Sequence, residues 1–219
     1  MKLYLIRHGQ TQWNIEGKIQ GKTDIPLNQV GIDQAKLLSE AMEEHSVSAI
    51  FSSPLKRAYE TACIVASSKN LPVIPVSELE EVDFGLWEGM TWNLINEKYP
   101  ADFAAWDKNP TTSTPTGGET RESCRTRCEQ AMNSILSTAR GDIAIVAHGG
   151  ILVFVVDFLL RTGQDKNEMI VRNASITTIE YHRDTGIGTL LVLNDTHHLK
   201  RDLKSDAPES SSRNINKYC

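Results

Sequence analysis

Residues 7–14 read Arg-His-Gly-Gln-Thr-Gln-Trp-Asn, directly after the apolar run Leu3-Tyr4-Leu5-Ile6. An arginine, a histidine and a glycine therefore stand where a short buried strand ends and the chain must turn. A second piece of the same kind lies far along the chain, where Asp142-Ile143-Ala144-Ile145-Val146-Ala147 reads as a strand running into His148-Gly149-Gly150. A third strand, Ser48-Ala49-Ile50-Phe51-Ser52, delivers Ser53-Pro54-Leu55-Lys56-Arg57. In open α/β sheets ligands bind outside the carboxyl ends of the strands, so three such ends suggest one site assembled from distant segments. Arginine forks bind phosphate oxygens two at a time, and helix N-termini offer free N–H groups to anions. Arg7, Arg57, His8, His148 and the helix N-termini would together make a pocket for a dianion.

His8 is the candidate nucleophile, because an imidazole nitrogen can attack phosphorus and hold the phosphoryl group covalently. For that it must be neutral, with its other ring nitrogen held by a partner that fixes the tautomer. A leaving alkoxide needs a proton, so a carboxylic acid should stand near the scissile bond. Residues 79–89, Leu-Glu-Glu-Val-Asp-Phe-Gly-Leu-Trp-Glu-Gly, supply Glu80, Glu81, Asp83 and Glu88. Beside a transferring phosphate such a carboxyl would be pushed toward its protonated form by like charge and burial. Taken singly each part has a bland reading: a histidine after a strand is commonly a satisfied hydrogen-bonding residue, and Arg57 could be a solvated helix charge. The conjunction at three strand ends is what carries the inference.

The elements that must position these residues alternate strand and helix. A Gly-rich polar loop over residues 9–27 is followed by a helix over 29–45, with Ala35, Leu38, Ala41 and Met42 at helical spacing. Ser53-Pro54 reads as a helix start with proline at the first helical position. Val73-Ile74-Pro75-Val76 reads as an edge strand, since proline cannot complete a ladder. Short helices over 91–108 carry Trp92, Tyr99, Phe103 and Trp106, and a long helix covers 119–139. Residues 150–161 form an apolar helix, and runs at 175–182 and 188–193 finish the sheet as a hairpin around Asp184-Thr185-Gly186. The pattern predicts an α/β protein, a three-layer α/β/α sandwich with a mainly parallel central sheet. It reads as one domain over 1–204, with a lid-like insertion at about 90–120 and a flexible tail over 205–219.

With 219 residues, 40% hydrophobic and 23% charged, the chain can bury a sizeable core. A net charge of −5 argues against a nucleic-acid surface, and no apolar run approaches the ~20 residues of a membrane span. Met1-Lys2-Leu3-Tyr4 leads straight into a strand, so a cytoplasmic protein is expected. Cys63, Cys124, Cys128 and Cys219 complete no common zinc pattern and read as reduced thiols. A homodimer is compatible with any exposed strand or helix face.

The pieces Arg7-His8-Gly9-Gln10-Thr11-Gln12-Trp13-Asn14, Gln20-Gly21, Asp24-Ile25-Pro26-Leu27, Ser52-Ser53-Pro54-Leu55-Lys56-Arg57-Ala58, Glu81-Val82-Asp83-Phe84-Gly85-Leu86-Trp87-Glu88-Gly89 and His148-Gly149-Gly150 resemble the histidine phosphatase superfamily, also called the phosphoglycerate mutase-like family. They fall in family order over residues 3 to about 195. The resemblance implies the nucleophile at His8, phosphate binding by Arg7, Arg57 and His148, and a metal-free phosphohistidine mechanism with no cofactor. It implies a further phosphate contact at Asn14 and a substrate-proximal loop at Gln20 and Gly21, with Gly149 beside the second histidine. It also selects Glu81 over Glu80 as proton donor, a choice that spacing alone leaves open.

Both a phosphatase and a mutase would use this pocket. Residues 90–120 hold only Lys98 and Lys108 as cations, and Phe84-Gly85-Leu86-Trp87-Glu88-Gly89 resembles the phosphatase branches, which favours hydrolysis of a small phosphorylated metabolite. Phosphoserine, phosphosugars and α-ribazole phosphate are candidate esters, with a cofactor-dependent phosphoglycerate mutase as the alternative. A non-catalytic binding module would have no need of both a nucleophile and an acid. The aromatic residues at 92–106 either pack a small lid or line a leaving-group pocket. His197-His198 reads as a loop near the site without a ligand role, and His45 and His182 as surface positions.

Overall fold

The computed structural model describes residues 1–110, 112–161, 169 and 171–201. In chain order the strands are β1 (Lys2–Arg7), β2 (Ala49–Ser52), β3 (Val73–Pro75), β4 (Ile143–Ala147), β5 (Ile176–His182) and β6 (Ile187–Asp195). The helices are α1 (Gln12–Ile15), α2 (Gln29–Met42), α3 (Lys56–Ser67), α4 (Trp92–Lys98), α5 (Pro100–Lys108), α6 (Arg121–Thr138) and α7 (Gly149–Leu160). The six strands form one sheet in the order β3-β2-β4-β1-β5-β6. Pairs β3–β2, β2–β4 and β4–β1 are parallel, whereas β5 runs antiparallel to both β1 and β6. The mainly parallel sheet, the edge position of β3 and the β5–β6 hairpin all match the pattern read from the sequence.

The alternation of side chains along the strands builds three layers. Leu3, Leu5, Phe51, Ile143 and Ile145 face α6 and α7 in one core. Tyr4, Ile6, Ile50, Ala144 and Val146 face α2 and α3 in the other. Strand β4 is buried along its whole length, as a central parallel strand covered on both faces must be. A third cluster, outside these layers, joins Ile19, Phe84, Trp87, Ile95 and Trp106. The tail expected over 205–219 lies outside the described residues.

Two local expectations are corrected. Helix α3 starts at Lys56 rather than at Pro54, because Leu55 is extended (φ −61°, ψ 133°) and its N–H donates to Ser53 Oγ, 3.3 Å away. The loop over 9–27 contains α1, a single turn nucleated by a capping box between Thr11 and Asn14.

The turn after β1 is pressed against α2 through two glycines. A Cβ on Gly9 would lie 2.5 Å from Gly31 O, and one on Gly31 would lie 2.0 Å from Gln10 O. Backbone meets backbone here, so no flexible side chain can move aside. Replacing a helical glycine by alanine ordinarily gains about 1 kcal/mol. Gly31→Ala is expected to do the opposite and lose about 1–3 kcal/mol through overpacking, read as a lower urea midpoint.

Candidate active site

Strands β1, β4 and β2 are neighbours and end on one edge of the sheet. The ladder continues one residue past each end: His8 N–H donates to Ala147 O and Ser53 N–H to Val146 O, both at 3.0 Å. These bonds fix where His8, Ser53 and His148 leave the sheet.

His8 is buried, and its Nδ1 lies 2.7 Å from Gly9 O. A carbonyl can only accept, so Nδ1 carries the proton and Nε2 keeps the bare lone pair. Burial, followed by the charges of Arg57 and Arg7, holds the His8 pKa well below its usual value, against the opposing effect of the Gly9 bond. The ring is therefore neutral at physiological pH.

Arg57 Nε donates to His148 Nδ1 at 3.1 Å, and His148 Nε2 lies 2.8 Å from Ser53 Oγ. Arginine has no acceptor, so His148 Nδ1 must be unprotonated and Nε2 carries the hydrogen. Burial, then Arg57 and His8, keeps the His148 pKa well below the usual value. The remaining Arg57 nitrogens donate to Thr23 O at 2.9 Å and Gly21 O at 2.7 Å. Burial pulls the Arg57 pKa down to about 10, which leaves it cationic at neutral pH. Arg7 donates to Val171 O.

A cavity of about 70 Å³ opens here, walled by Arg7, His8, Asn14, Arg57, Glu81 and Trp92, with Lys18 to Gly21 and Phe84 at its sides. Gln20 is buried in this wall, and among the described residues its Oε1 has no hydrogen-bond partner. Gly21 has φ +53°, and a Cβ there would lie 1.9 Å from Glu88 Oε1. Two predicted residues are not among these lining groups: His148 is fully buried, its ring centroid 5.1 Å from that of His8, and Gly149 packs against the Arg7 guanidinium, where an added Cβ would meet Cζ at 3.5 Å.

Among the candidate acids the structure brings only Glu81 to the cavity. Glu88 accepts from the N–H groups of Lys22, Thr23 and Phe84, Asp83 Oδ1 accepts from Gly85 N–H, and Glu80 pairs with Lys22 at 3.7 Å. Glu81 Oε1 accepts from Val82 and Ile151 N–H at 2.9 and 3.0 Å, and Oε2 accepts from Gly150 N–H at 3.1 Å. At the start of α7 the N–H groups of Gly150 and Ile151 thus go to Glu81, and the first N–H of α3, that of Lys56, goes to Asp24 at 2.7 Å.

Several positioning groups were missed in the sequence. Arg127 bonds the carbonyls of Glu78, Glu80 and Glu81 and is paired with Glu119 at 2.8 Å, so α6 grips the strand of chain that carries Glu81. Burial pushes the Glu119 carboxyl up, but the Arg127 hydrogen bonds and charge prevail and bring it down to about 2. Ser53, which bonds His148, lies inside the Ser52-Ser53-Pro54 piece, where a partnership with His148 is not legible, and Arg127 carries no motif that would mark it. The aromatic segment divides: Trp92 lines the cavity, whereas Trp106 is buried against Phe84 and Trp87. His197 pairs with Asp195 at 2.6 Å and His198 Nε2 lies 2.9 Å from Ala174 O, while His45 is half-buried and stacked on Tyr4 rather than at the surface. Cys124 and Cys128 belong to the core beneath α6, where burial pushes the Cys128 thiol up to about 12. Among the described residues no cluster of three or more His, Cys, Asp or Glu is placed to hold a metal, and no helix is long and apolar enough to cross a membrane.

The model of the histidine phosphatase superfamily, branch 1, matches residues 3–196, and the chain belongs to that family. It is 34% identical to phosphoserine phosphatase 1 of Hydrogenobacter thermophilus, over 91% of this chain and 94% of that protein. It is 33% identical to phosphoglycerate mutase-like protein 4 of Arabidopsis thaliana, over 91% and 87%. The crystal structure of the α-ribazole phosphatase from Shigella flexneri superposes with a TM-score of 0.80 at 31% identity, covering 89% of this chain and 96% of that one.

The two neutral histidines link the site to stability. Their folded pKa values are depressed, so below about pH 6.5 the unfolded chain takes up protons that the native state refuses. Stability is full above that pH and falls as the pH drops from about 6.5 toward the folded values. Each histidine contributes a loss of about 1 kcal/mol between pH 6.5 and 5.5. Urea unfolding of His8→Asn should show a pH dependence shallower than wild type by that amount; equal slopes would mean that His8 is protonated in the native state.

Proposed function

We propose that the chain is a phosphomonoester hydrolase for small phosphorylated metabolites, working through a phosphohistidine on His8. The observation that supports it most is the Nδ1–Gly9 bond, which leaves a lone pair on Nε2 in a cavity shared with two guanidiniums. In the first step Nε2 attacks phosphorus, the ester P–O bond breaks, and the leaving oxygen takes a proton from Glu81. Arg7 and Arg57 hold the equatorial oxygens as charge builds on them, with Asn14 and Gln20 as further contacts. In the second step water attacks phosphorus, the P–N bond breaks, and Glu81 takes the water's proton. The hydrogen bonds indicate which oxygen carries that proton: Oε1 has both lone pairs engaged by N–H groups, whereas Oε2 has one position open. His148, from behind, fixes Arg57. Cationic stabilisation comes from the guanidiniums, so the scheme calls for no metal.

The names of the relatives make phosphoserine and α-ribazole phosphate the first esters to try. Phosphate release with EDTA present is expected for at least one ester in a panel of these with 3-phosphoglycerate, sugar phosphates and an aryl phosphate. His8→Ala should abolish both release and the acid-labile phosphoenzyme, and Glu81→Gln should lower turnover by about 10²–10⁴-fold. Full release from His8→Ala would remove the nucleophile assignment, and activity that demands a bisphosphorylated primer would make the protein a mutase.

Trp92 gives a handle on the leaving group. Trp92→Ala is expected to change the ratio of activities on aryl and small alkyl esters. Trp106→Ala should instead lower stability by about 3–5 kcal/mol and leave that ratio alone. An unchanged ratio in Trp92→Ala would take the indole out of substrate selection.

A further inference from the structure

The segment entering β5 lies across the turn that carries His8. Asn173 Nδ2 is 3.1 Å from His8 O, 3.3 Å from Gly9 O and 3.3 Å from Asn14 Oδ1. The next residue, Ala174, donates its N–H to both Arg7 O and His8 O at 3.1 Å. Ala174 has φ +53°, a conformation that a residue with a Cβ seldom adopts, so its contacts hold this turn in place. All three atoms facing Asn173 are oxygens, so the carboxamide must present its NH₂ to them.

Two of those oxygens already determine how cavity groups are oriented. Gly9 O receives the Nδ1 proton of His8 and thereby leaves Nε2 bare. Asn14 Oδ1 also accepts from Thr11 N–H at 3.0 Å and Thr11 Oγ1 at 3.1 Å. With its oxygen held on that side, Asn14 has only its own NH₂ left for the cavity it lines. We infer that Asn173 is a positioning residue, which ties the carbonyl that orients His8 to the amide that orients Asn14, so that one presents a lone pair and the other a donor to the same phosphoryl group. The inference rests on the reading of His8 as nucleophile. It adds a residue 165 positions away that touches none of the reacting atoms.

The test compares Asn173→Ala with the isosteric Asn173→Asp, which keeps the volume but turns an acceptor toward three oxygens. Both variants are expected to lower kcat/KM by about 10–100-fold, the scale set by small misplacements of reacting groups. Asn173→Asp should be at least as damaged as Asn173→Ala while thermal melting shows both folded. A packing role predicts the reverse order, and Asn173→Asp within about twofold of wild type overturns the inference.

A second measurement does not depend on turnover. With ¹⁵N-labelled histidine, the His8 ring should report the Nδ1–H tautomer in wild type and a mixed or altered state in Asn173→Ala. His8 signals that stay put in a folded variant overturn the positioning role even if activity falls. If those signals move but wild type hydrolyses no ester, the positioning role stands and the phosphatase reading fails.

Discussion

The site depends on how its buried cations are satisfied. Arg57 is almost wholly buried, gives one N–H from each nitrogen to Gly21 O, Thr23 O and His148 Nδ1, and among the described residues no carboxylate pairs with it. Carbonyl oxygens and a ring nitrogen satisfy N–H groups without cancelling the charge. A buried charge left in this state is expensive, and on the proposed function a dianion entering the cavity would offset that cost. Burial is also the main reason both histidine rings stay neutral, and the charges of Arg57 and Arg7 add to it. On the proposed function that is the state a nucleophilic His8 needs.

The acid is kept apart from those cations by a different device. Glu81 accepts from the N–H groups of Gly150 and Ile151 in the first turn of α7. A carboxylate that paired with Arg57 would neutralise the cation that the proposed function gives to phosphate. Held by backbone N–H groups, and gripped from behind by Arg127, it lines the cavity without filling it. Asp24 plays a related part at the start of α3, capping its first N–H from outside the cavity. At both helix starts N–H groups are thus engaged by protein carboxylates, Glu81 at α7 and Asp24 at α3.

What the sequence made legible follows from what is local. Strands β1, β2 and β4 announce themselves as short apolar runs, and the residues that follow each run are placed by the ladder, so His8, Arg57 and His148 could be brought together before any coordinates. The hairpin at Asp184 and the edge proline at Pro75 are equally local signals. The groups that hold the site in register are not local. Arg127 reads as an ordinary helix charge until its carbonyl partners, 46 to 49 residues away, are known. Asn173 reads as a residue before a strand, and Ser53 as part of a turn. The start of α3 was misplaced because proline at a first helical position is only a local preference. The chain instead stays extended through Leu55, which leaves Ser53 facing His148.

The lining of the cavity of about 70 Å³ separates chemistry from selection. Arg7, His8 and Arg57 come from or just after strand ends, whereas other lining groups come from loops and from α4: Lys18, Ile19, Phe84 and Trp92. On the proposed function the alcohol part of an ester would lie against this second set. None of these is placed by the sheet. Ile19 and Phe84 belong to the third hydrophobic cluster, and Trp92 is packed on its edge, so the outer wall moves with that cluster rather than with the two main cores. A change in the aromatic segment can then reshape the leaving-group side while His8, Arg7 and Arg57 remain fixed by strand ends. Relatives of about one-third identity that carry different substrates in their names are what such a division of labour would produce. By the same reasoning, the proposed function directs the search for substrate preference to the packing around Trp92, at the side of the cavity that the strand ends do not build.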